Sequence, residues 1–379
     1  MYVNAIRKLA IPKNFSRYLL TFSRTVRNPT TYHATAPTSF APKSVILLSS
    51  PTHLNTTIDA AIELFEDQTL QIVVAGVDSV PPGGNSGVSE LWMDEFFKVK
   101  NGIFLDEKDD LNKPPRQSDG VNVVGARKNW KLIDSAFSMK VAKNVDVSVN
   151  LANTAFVNDN LVTLFYLQPP QLDDKVTAGF SDRALCDLQV ELPTSAQSAV
   201  VKVHDRWTAL PSEKPLFVTN CIGNLIKSLN GSSAAKFLEQ NDQLMSIGSK
   251  DTEVYVKLYR ENTEYRYQVI AGGGGWGPKS DTLVVSPEAK VQKGDRIEFF
   301  MLTPENKKAS HQHEIEPKDG SFIFERINEA SGFRHSNSEV EGTLSVFGCG
   351  TEVAYHVNNV LHLSAGETVV VEMKLKVRG

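Results

Sequence analysis

The sequence predicts an α+β protein built from two β-rich lobes with flanking helices. Three observations lead to this fold class: an ordinary globular composition, a strand–helix–strand pattern early in the chain, and a long succession of short β-like runs after it. The chain has 379 residues, of which 41% are hydrophobic and 22% charged. This is longer than one average domain and supplies enough apolar surface for a large core.

The first lobe opens with a βαβ-like unit. The apolar run at 44–49 predicts a buried strand, and residues 70–79 predict a second one. Between them, residues 54–66 carry apolar side chains at positions 58, 61, 62 and 65, which lie on one face of a helix. Short β-like runs continue to a proline-containing polar stretch that begins at 208. We therefore place the first lobe at residues 41–207.

The second lobe spans residues 208–379 in this prediction. It begins with a hairpin over 217–229, and Ser232 or Ser233 precedes a helix that starts at Ala234. The later β-like runs include 253–259, 265–271, 342–350 and 368–377.

The first forty residues read as a targeting segment. No aspartate or glutamate occurs before Asp59, whereas basic residues interleave with apolar and hydroxyl residues at Arg7, Lys8, Lys13, Arg17, Arg24, Arg27 and Lys43. An acid-free, arginine-bearing amphipathic segment is typical of a mitochondrial presequence. We predict a presequence and linker over 1–40, with removal of about 35 residues and delivery to the mitochondrial matrix. The alternative is a basic disordered tail.

Charge and cysteine content exclude several function classes. The formal net charge of -4 gives no electrostatic basis for binding nucleic acid, and no apolar run is long enough for a membrane span. The three cysteines, Cys186, Cys221 and Cys349, are too few and too widely spaced for a disulfide framework or a CxxC metal clasp.

Several short motifs carry a resemblance to a known family. In the second half they are Val218-Thr219, Gly223-Asn224, Leu229-Asn230-Gly231, Ser233-Ala234, Thr282-Leu283 and the Gly294-Asp295 turn within 291–297, joined by 72–79 and by Val346-Phe347-Gly348-Cys349-Gly350. Together they resemble the FIST domain of F-box and intracellular signal transduction proteins, over most of residues 44–350. The resemblance implies sensing of small ligands such as amino acids and supplies no catalytic residues. The departures from the pattern, including the N-terminal segment, indicate a fungal-like mitochondrial branch.

The loop after the second strand is the first candidate binding site. It offers backbone amides, hydroxyls and two carboxylates, at Asp78, Ser79, Gly83, Gly84, Ser86, Ser89 and Glu90. Carboxylates accept from a ligand ammonium and amides donate to a ligand carboxylate, so this loop could bind an amino acid. The alternative is a simple chain reversal.

A glycine-rich segment is the second candidate site. Residues 272–277 formally satisfy GxGxxG, but Pro278 and a strand follow where a dinucleotide site needs a helix. We therefore reject a nucleotide cofactor and predict a flexible loop that covers a ligand, with Gly273, Gly274, Gly275, Trp276 and Lys279 as its binding residues. A wide hairpin loop is the alternative.

Cys349 is the candidate nucleophile of an alternative, enzymatic interpretation. It lies between two glycines, but sequence places no histidine or lysine beside it, so a buried inert thiol is the competing interpretation. His311 and His313 lie in a polar loop without a third anchored ligand, and we predict no metal site and no cofactor.

The prediction for function follows from these features. We expect a non-catalytic module that binds or senses a small molecule, with the ligand between the lobes and an amino acid as one candidate. Two alternatives stay open: a cysteine-dependent enzyme that uses Cys349, and a scaffold or assembly factor for a mitochondrial complex with a protein partner.

Overall fold

A computed structural model describes most of the chain. The residues it describes are 19–104, 135–152, 162–172, 185–247, 252–261, 263–272, 281–287, 289–303, 316–327, 342–358, 360–362 and 366–374. Strands account for 52% and helices for 13%, in several sheets, which confirms the predicted α+β class.

Three α-helices, two short 3-10 helices and twenty-four strands are described. The α-helices are α1 Leu54–Gln68, α2 Ala234–Glu239 and α3 Asp242–Ile247. The strands, in chain order, are β1 Thr21–Arg27, β2 Ser44–Ser49, β3 Gln71–Gly76, β4 Gly87–Met93, β5 Lys98–Phe104, β6 Ala136–Ala142, β7 Val145–Asn150, β8 Leu164–Leu167, β9 Leu185–Glu191, β10 Ala199–His204, β11 Thr208–Leu210, β12 Leu216–Ile222, β13 Leu225–Leu229, β14 Ser232–Ser233, β15 Glu253–Arg260, β16 Thr263–Gly272, β17 Leu283–Val285, β18 Arg296–Leu302, β19 Phe322–Arg326, β20 Gly342–Leu344, β21 Phe347–Thr351, β22 Tyr355–Val357, β23 Val360–His362 and β24 Thr368–Met373.

The predicted βαβ opening is confirmed by β2, α1 and β3. The two strands pair in parallel, and every residue in both is buried. Their alternate side chains enter two different cores: Val45 and Ile72 pack with α1, whereas Ile46 and Val73 face the main core. Because both faces of the sheet are covered, these strands read as continuous apolar runs in the sequence.

Three sheets share the main core. The first has the order β20-β1-β4-β2-β3-β8, the second β10-β24-β19-β21, and the third β23-β22-β7-β6-β9-β5. Side chains such as Phe137, Val190, Phe324, Phe347 and Val371 pack together in this core and are almost completely buried. The core therefore joins the first half of the chain to its last sixty residues.

The second core belongs to a lobe inserted into this body. Strands β11 to β18 form one sheet whose path returns on itself, because β18 pairs with β12 on one side and with β15 on the other. Its interior contains Val218, Ile226, Val256, Leu283 and Phe299, and α2 packs against it through Leu238. We call residues 208–302 the inserted lobe.

The structure divides the chain differently from the predicted ranges 41–207 and 208–379. The inserted lobe begins at the predicted boundary, since β11 starts at Thr208. The chain then leaves it: β20 pairs with β1, β22 with β7 and β24 with β10. The second lobe thus ends near 302, and β19 to β24 return to the first body.

The prediction of a leader and unstructured linker over residues 1–40 also differs from the structure from Thr21 onward. Strand β1 lies between β4 and β20 and pairs with both. The Thr25 hydroxyl is buried and donates to the Val346 carbonyl at 2.7 Å. Tyr32 is buried and donates from its hydroxyl to Glu90 at 3.0 Å. Removal of about 35 residues would therefore remove a strand that pairs with both β4 and β20.

We predict that β1 is required for stability. A chain that starts at residue 28 loses Arg24, the ion-pair partner of the fully buried Glu90 at 2.6 Å. An uncompensated buried charge costs about 3–5 kcal/mol, so its urea midpoint should fall well below that of the full chain. A chain that starts at residue 19 keeps these contacts and is the matched control. Equal urea midpoints for the two truncated chains would contradict this role of β1.

Candidate functional site

The loop between β3 and β4 is hydrogen-bonded to the C-terminal strands. Ser79 and Gly350 exchange backbone hydrogen bonds of 3.2 and 2.9 Å, and Val80 and Asn85 close the loop in the same way. Ser79 and Val80 are completely buried, whereas Gly83 is exposed. The predicted binding loop thus packs on the β19–β21 sheet.

The buried carboxylate of Glu325 accepts two backbone hydrogen bonds from this loop. The Gly83 amide donates to Glu325 Oε2 at 3.2 Å, and the Gly84 amide donates to Oε1 at 3.0 Å. Both glycines have positive φ, 84° and 74°, a conformation that directs consecutive amides toward one anion. The Glu325 side chain is completely buried. The amide donors that the sequence suggested for a ligand carboxylate are therefore engaged by the protein's own carboxylate.

A second carboxylate, Asp78, lies at the start of the same loop. Its Oδ2 accepts the backbone amide of Glu352 at 2.7 Å. Burial raises the pKa of Asp78 to about 6, and burial likewise raises the pKa of Glu325 to about 7, against the hydrogen bonds from Gly83 and Gly84. Both carboxyls therefore hold a proton more readily than an exposed carboxyl does.

The other predicted loop residues, Ser86, Ser89 and Glu90, contact other parts of the first body. The Ser86 hydroxyl lies 2.7 Å from that of Thr52, near the start of α1. Ser89 Oγ accepts the amide of Gly348 at 3.0 Å. Glu90 accepts from Arg24, Tyr32 and Trp92, so both of its oxygens are satisfied internally. These three residues stabilise the body and do not join the cluster around Glu325.

Close backbone packing accounts for the Gly-Cys-Gly sequence. A Cβ on Gly348 would lie 1.7 Å from the Ile323 carbonyl oxygen, and one on Gly350 would lie 2.2 Å from Ser79 Oγ. Cys349 between them is buried, and burial, with Asp78 and Glu325 nearby, raises the pKa of its thiol. A buried thiol of raised pKa beside two carboxyls is a poor nucleophile, which disfavours the enzymatic alternative.

Further buried polar side chains come from β22, β23 and the segment before β24. The rings of Tyr355 and His362 stack with centroids 4.9 Å apart. His362 Nδ1 lies 3.8 Å from Glu367 Oε2, which is longer than a hydrogen bond. All three side chains are at least nine-tenths buried. Burial, together with the charges of Glu367 and Glu325, raises the pKa of Tyr355.

The inserted lobe reaches this group through Arg266. Its Nη1 donates to Glu367 Oε1 at 3.0 Å and to Asp205 Oδ2 at 2.9 Å, and its Nε donates to Glu264 at 2.8 Å. Lys257 also binds Asp205, at 2.8 Å. Charged residues of the two bodies therefore meet directly beside Glu367.

Several buried atoms at this junction have no hydrogen-bond partner in the described part of the chain. They are Ser79 Oγ, Tyr355 Oη, His362 Nδ1, Glu367 Oε2 and Arg326 Nε. Buried polar atoms in folded proteins almost always have a partner, from the protein, water or a ligand. We call the group Ser79, Glu325, Tyr355, His362 and Glu367 the polar centre.

Other predicted residues fall outside the described residues. They are Gly273, Gly274, Gly275, Trp276 and Lys279 of the glycine-rich segment, together with His311 and His313. The prediction that this segment covers a ligand between the lobes therefore stays a prediction. Within the described ranges, no group of three or more histidine, cysteine or carboxylate side chains could hold a metal ion.

Two adjoining grooves lie elsewhere, on the outer face of the third sheet. The larger, about 500 Å³, runs past Lys140, Asp146 and His356, and the smaller, about 230 Å³, past Asn101 and Asp187. Both contain Ser138 and Gln189. Neither contains a residue of the polar centre or of the predicted loops.

Sequence reasoning missed Glu325, Tyr355, His362 and Glu367. One usable signal was present at Glu325, because an acid follows directly on the apolar run of β19. A buried charge at the end of such a run needs a partner. No local pattern indicates that this partner is a loop 241 residues earlier in the chain.

No protein-family model, curated protein or solved structure matches this chain. The FIST resemblance therefore stays a prediction. No helix in the described ranges combines the length and apolar character needed to cross a bilayer.

We predict that Cys349 is unreactive in the folded chain. A thiol reagent should modify the half-buried Cys221 first and should reach Cys186 and Cys349 only after denaturation, because both are buried. The Cys221→Ser chain should show no fast-reacting thiol. A fast-reacting thiol in folded Cys221→Ser, mapped by peptide mass to Cys349, would restore the enzymatic alternative.

The raised pKa of Asp78 predicts a specific pH dependence of stability. The folded chain keeps the Asp78 proton to a higher pH than the unfolded chain does. The stabilisation that protonated Asp78 contributes is therefore present at low pH and is lost between about pH 4 and about pH 6. As pH rises, the free energy of unfolding measured in urea should fall for the native chain relative to Asp78→Asn. Asp59→Asn, on the exposed face of α1, is the control. Parallel curves for the native chain and Asp78→Asn would contradict the buried environment of Asp78.

Proposed function

We propose that the chain is a non-catalytic module that binds or senses a small molecule at the polar centre. The observation that carries this proposal is the set of buried atoms without hydrogen-bond partners, from Ser79, Tyr355, His362 and Glu367. Leaving such an atom unsatisfied costs about 1–3 kcal/mol, so several together favour a bound polar molecule that hydrogen bonds to them.

The position of the polar centre also supports this function. It lies where the β3–β4 loop, the C-terminal strands and the inserted lobe meet, and binding sites occur preferentially at such junctions. Arg266 of the inserted lobe binds Glu367 of the body at 3.0 Å. A ligand beside Glu367 would therefore contact residues that depend on both bodies, which suits a sensing role.

Catalysis is not part of the proposal. The buried thiol of Cys349, with its raised pKa, argues against the cysteine-dependent alternative. The proposed cellular location is mitochondrial, on the basis of the acid-free N-terminal segment, with the presequence ending before β1. An amino acid is one candidate ligand, from the FIST resemblance.

Tyr355→Phe tests the proposal because it removes one unpartnered hydroxyl and preserves the ring. A panel of small polar metabolites should contain a compound that raises the thermal midpoint of the native chain. Tyr355→Phe should weaken its binding about tenfold, since a hydrogen bond in a buried site is worth about 1.4 kcal/mol. Tyr259→Phe removes a hydroxyl that binds Glu298 at 3.0 Å, away from the polar centre, and should bind as the native chain does. Equal affinity in both variants, or no stabilising compound, would contradict the proposal.

A further inference from the structure

The unpartnered atoms of the polar centre define the charge of its ligand. Glu367 Oε2 can only accept when ionised, and the Tyr355 hydroxyl and His362 Nδ1 can each accept or donate. All three groups belong to side chains that are at least nine-tenths buried. All three groups can therefore accept a hydrogen bond, and Glu367 Oε2 can only accept one when ionised.

The donors suited to a ligand carboxylate are already engaged. The amides of Gly83 and Gly84 bind Glu325. Arg266 donates to three carboxylates of the protein. Arg326 has an unpartnered Nε, and its guanidinium interacts electrostatically with Asp78, Glu253 and Glu352. An anionic group of a ligand would compete with these carboxylates at each of these donors.

The ion pairs at Glu367 leave one of its two oxygens without a partner. Arg266 Nη1 binds Glu367 Oε1 at 3.0 Å and Asp205 at 2.9 Å, and Lys257 also binds Asp205. A further cation, Arg206, lies beside this segment, with its Nε 3.4 Å from the position of a Cβ on Gly366. Glu367 Oε2 still has no hydrogen-bond partner in the described part of the chain, and a buried carboxylate oxygen without one is costly.

We infer that the polar centre binds a small monocation, a protonated primary amine, and that the ligand needs no carboxylate. This inference rests on the proposed function and narrows its ligand class. A primary ammonium has three N–H donors. They match three of the groups that lack partners: the Glu367 carboxylate oxygen, the Tyr355 hydroxyl and His362 Nδ1 acting as an acceptor.

The competing source of positive charge is a proton on His362. Protonation would convert the 3.8 Å contact between His362 Nδ1 and Glu367 Oε2 into an ion pair and would give Glu367 Oε2 a charged partner without a ligand. The experiment therefore has to separate a bound amine from a protonated imidazole.

A set of matched small probes, titrated into the full native chain, separates a bound amine from a protonated imidazole. Methylamine carries only the cation, acetate only the carboxylate, and glycine both, and each is small enough for a tightly packed site. We expect NMR titration near neutral pH to show saturable shifts of the Tyr355 and His362 side-chain resonances with methylamine and none with acetate. Glycine should bind no more tightly than methylamine. Ligands of so few atoms bind weakly, with dissociation constants on the order of millimolar at best.

A charge-removing variant locates the cation. Glu367→Gln should weaken methylamine binding about tenfold or more, because a charge-assisted hydrogen bond is replaced by a neutral one. Glu63→Gln, on the exposed face of α1, makes the same chemical change and should leave binding unaltered. The probe series on the native chain stays decisive if Glu367→Gln fails to fold.

The possible outcomes separate the two proposals. Saturable binding of methylamine that Glu367→Gln weakens supports the amine inference. If glycine or acetate binds and methylamine does not, the amine inference is wrong, but the proposal of small-molecule binding stands. No binding by any probe, with the His362 ring protonated at neutral pH, overturns it in favour of the internal ion pair; if the metabolite panel also stabilises nothing, the proposed function fails as well.

Discussion

The hydrogen bonds from the Gly83 and Gly84 amides to the Glu325 carboxylate are the contact on which the rest of the site depends. They join residues 241 and 242 positions apart in the chain. Glu325 lies in β19, which pairs with β21 and β24 in the centre of its sheet. By holding the loop on this sheet, the contact fixes Asp78 and Ser79 beside Gly350. A buried carboxylate is tolerated only with such partners, so the loop and the carboxylate stabilise each other.

The inserted lobe supplies the other constraint. Between the bodies, Trp207 stacks on Tyr255 at 4.5 Å, and Lys257 and Arg266 lie over the Trp207 ring. The same Arg266 neutralises part of the charge on Glu367. The charge balance of the polar centre therefore depends on where the inserted lobe sits, and a ligand that changes this balance would bias the junction between the bodies.

The sequence-based predictions succeeded where local pattern and burial agree. Strands β2 and β3 are covered on both faces, so their apolar runs identified the βαβ unit. The predicted helical face is correct at Ile58, Ala61 and Phe65, which pack on the core beside α1, but Ile62 is 44% exposed. The fully buried positions of α1 also include Leu54, Thr57 and Leu64. Thr57 is buried because its hydroxyl binds Ser49 and the His53 carbonyl, which no apolar periodicity reveals.

The predictions failed where long-range pairing decides the structure. Strand β1 has the basic and hydroxyl residues of a leader, yet Arg24 pairs with the buried Glu90 and Thr25 with Ser89. The loop residues 78–84 were predicted to bind a ligand, but the carboxylate that binds the Gly83 and Gly84 amides lies in β19. Tyr355, His362 and Glu367 carry no spacing that indicates a site, because they come together only through the C-terminal strands.

A high-resolution crystal structure of the chain, crystallised with methylamine, tests the central claim most directly. The account predicts density for one bound amine within hydrogen-bond distance of Glu367 Oε2 and of the Tyr355 hydroxyl, with Glu325 still bound to Gly83 and Gly84. A structure in which His362 and Glu367 close into a direct hydrogen bond, with no bound molecule between them, would contradict it.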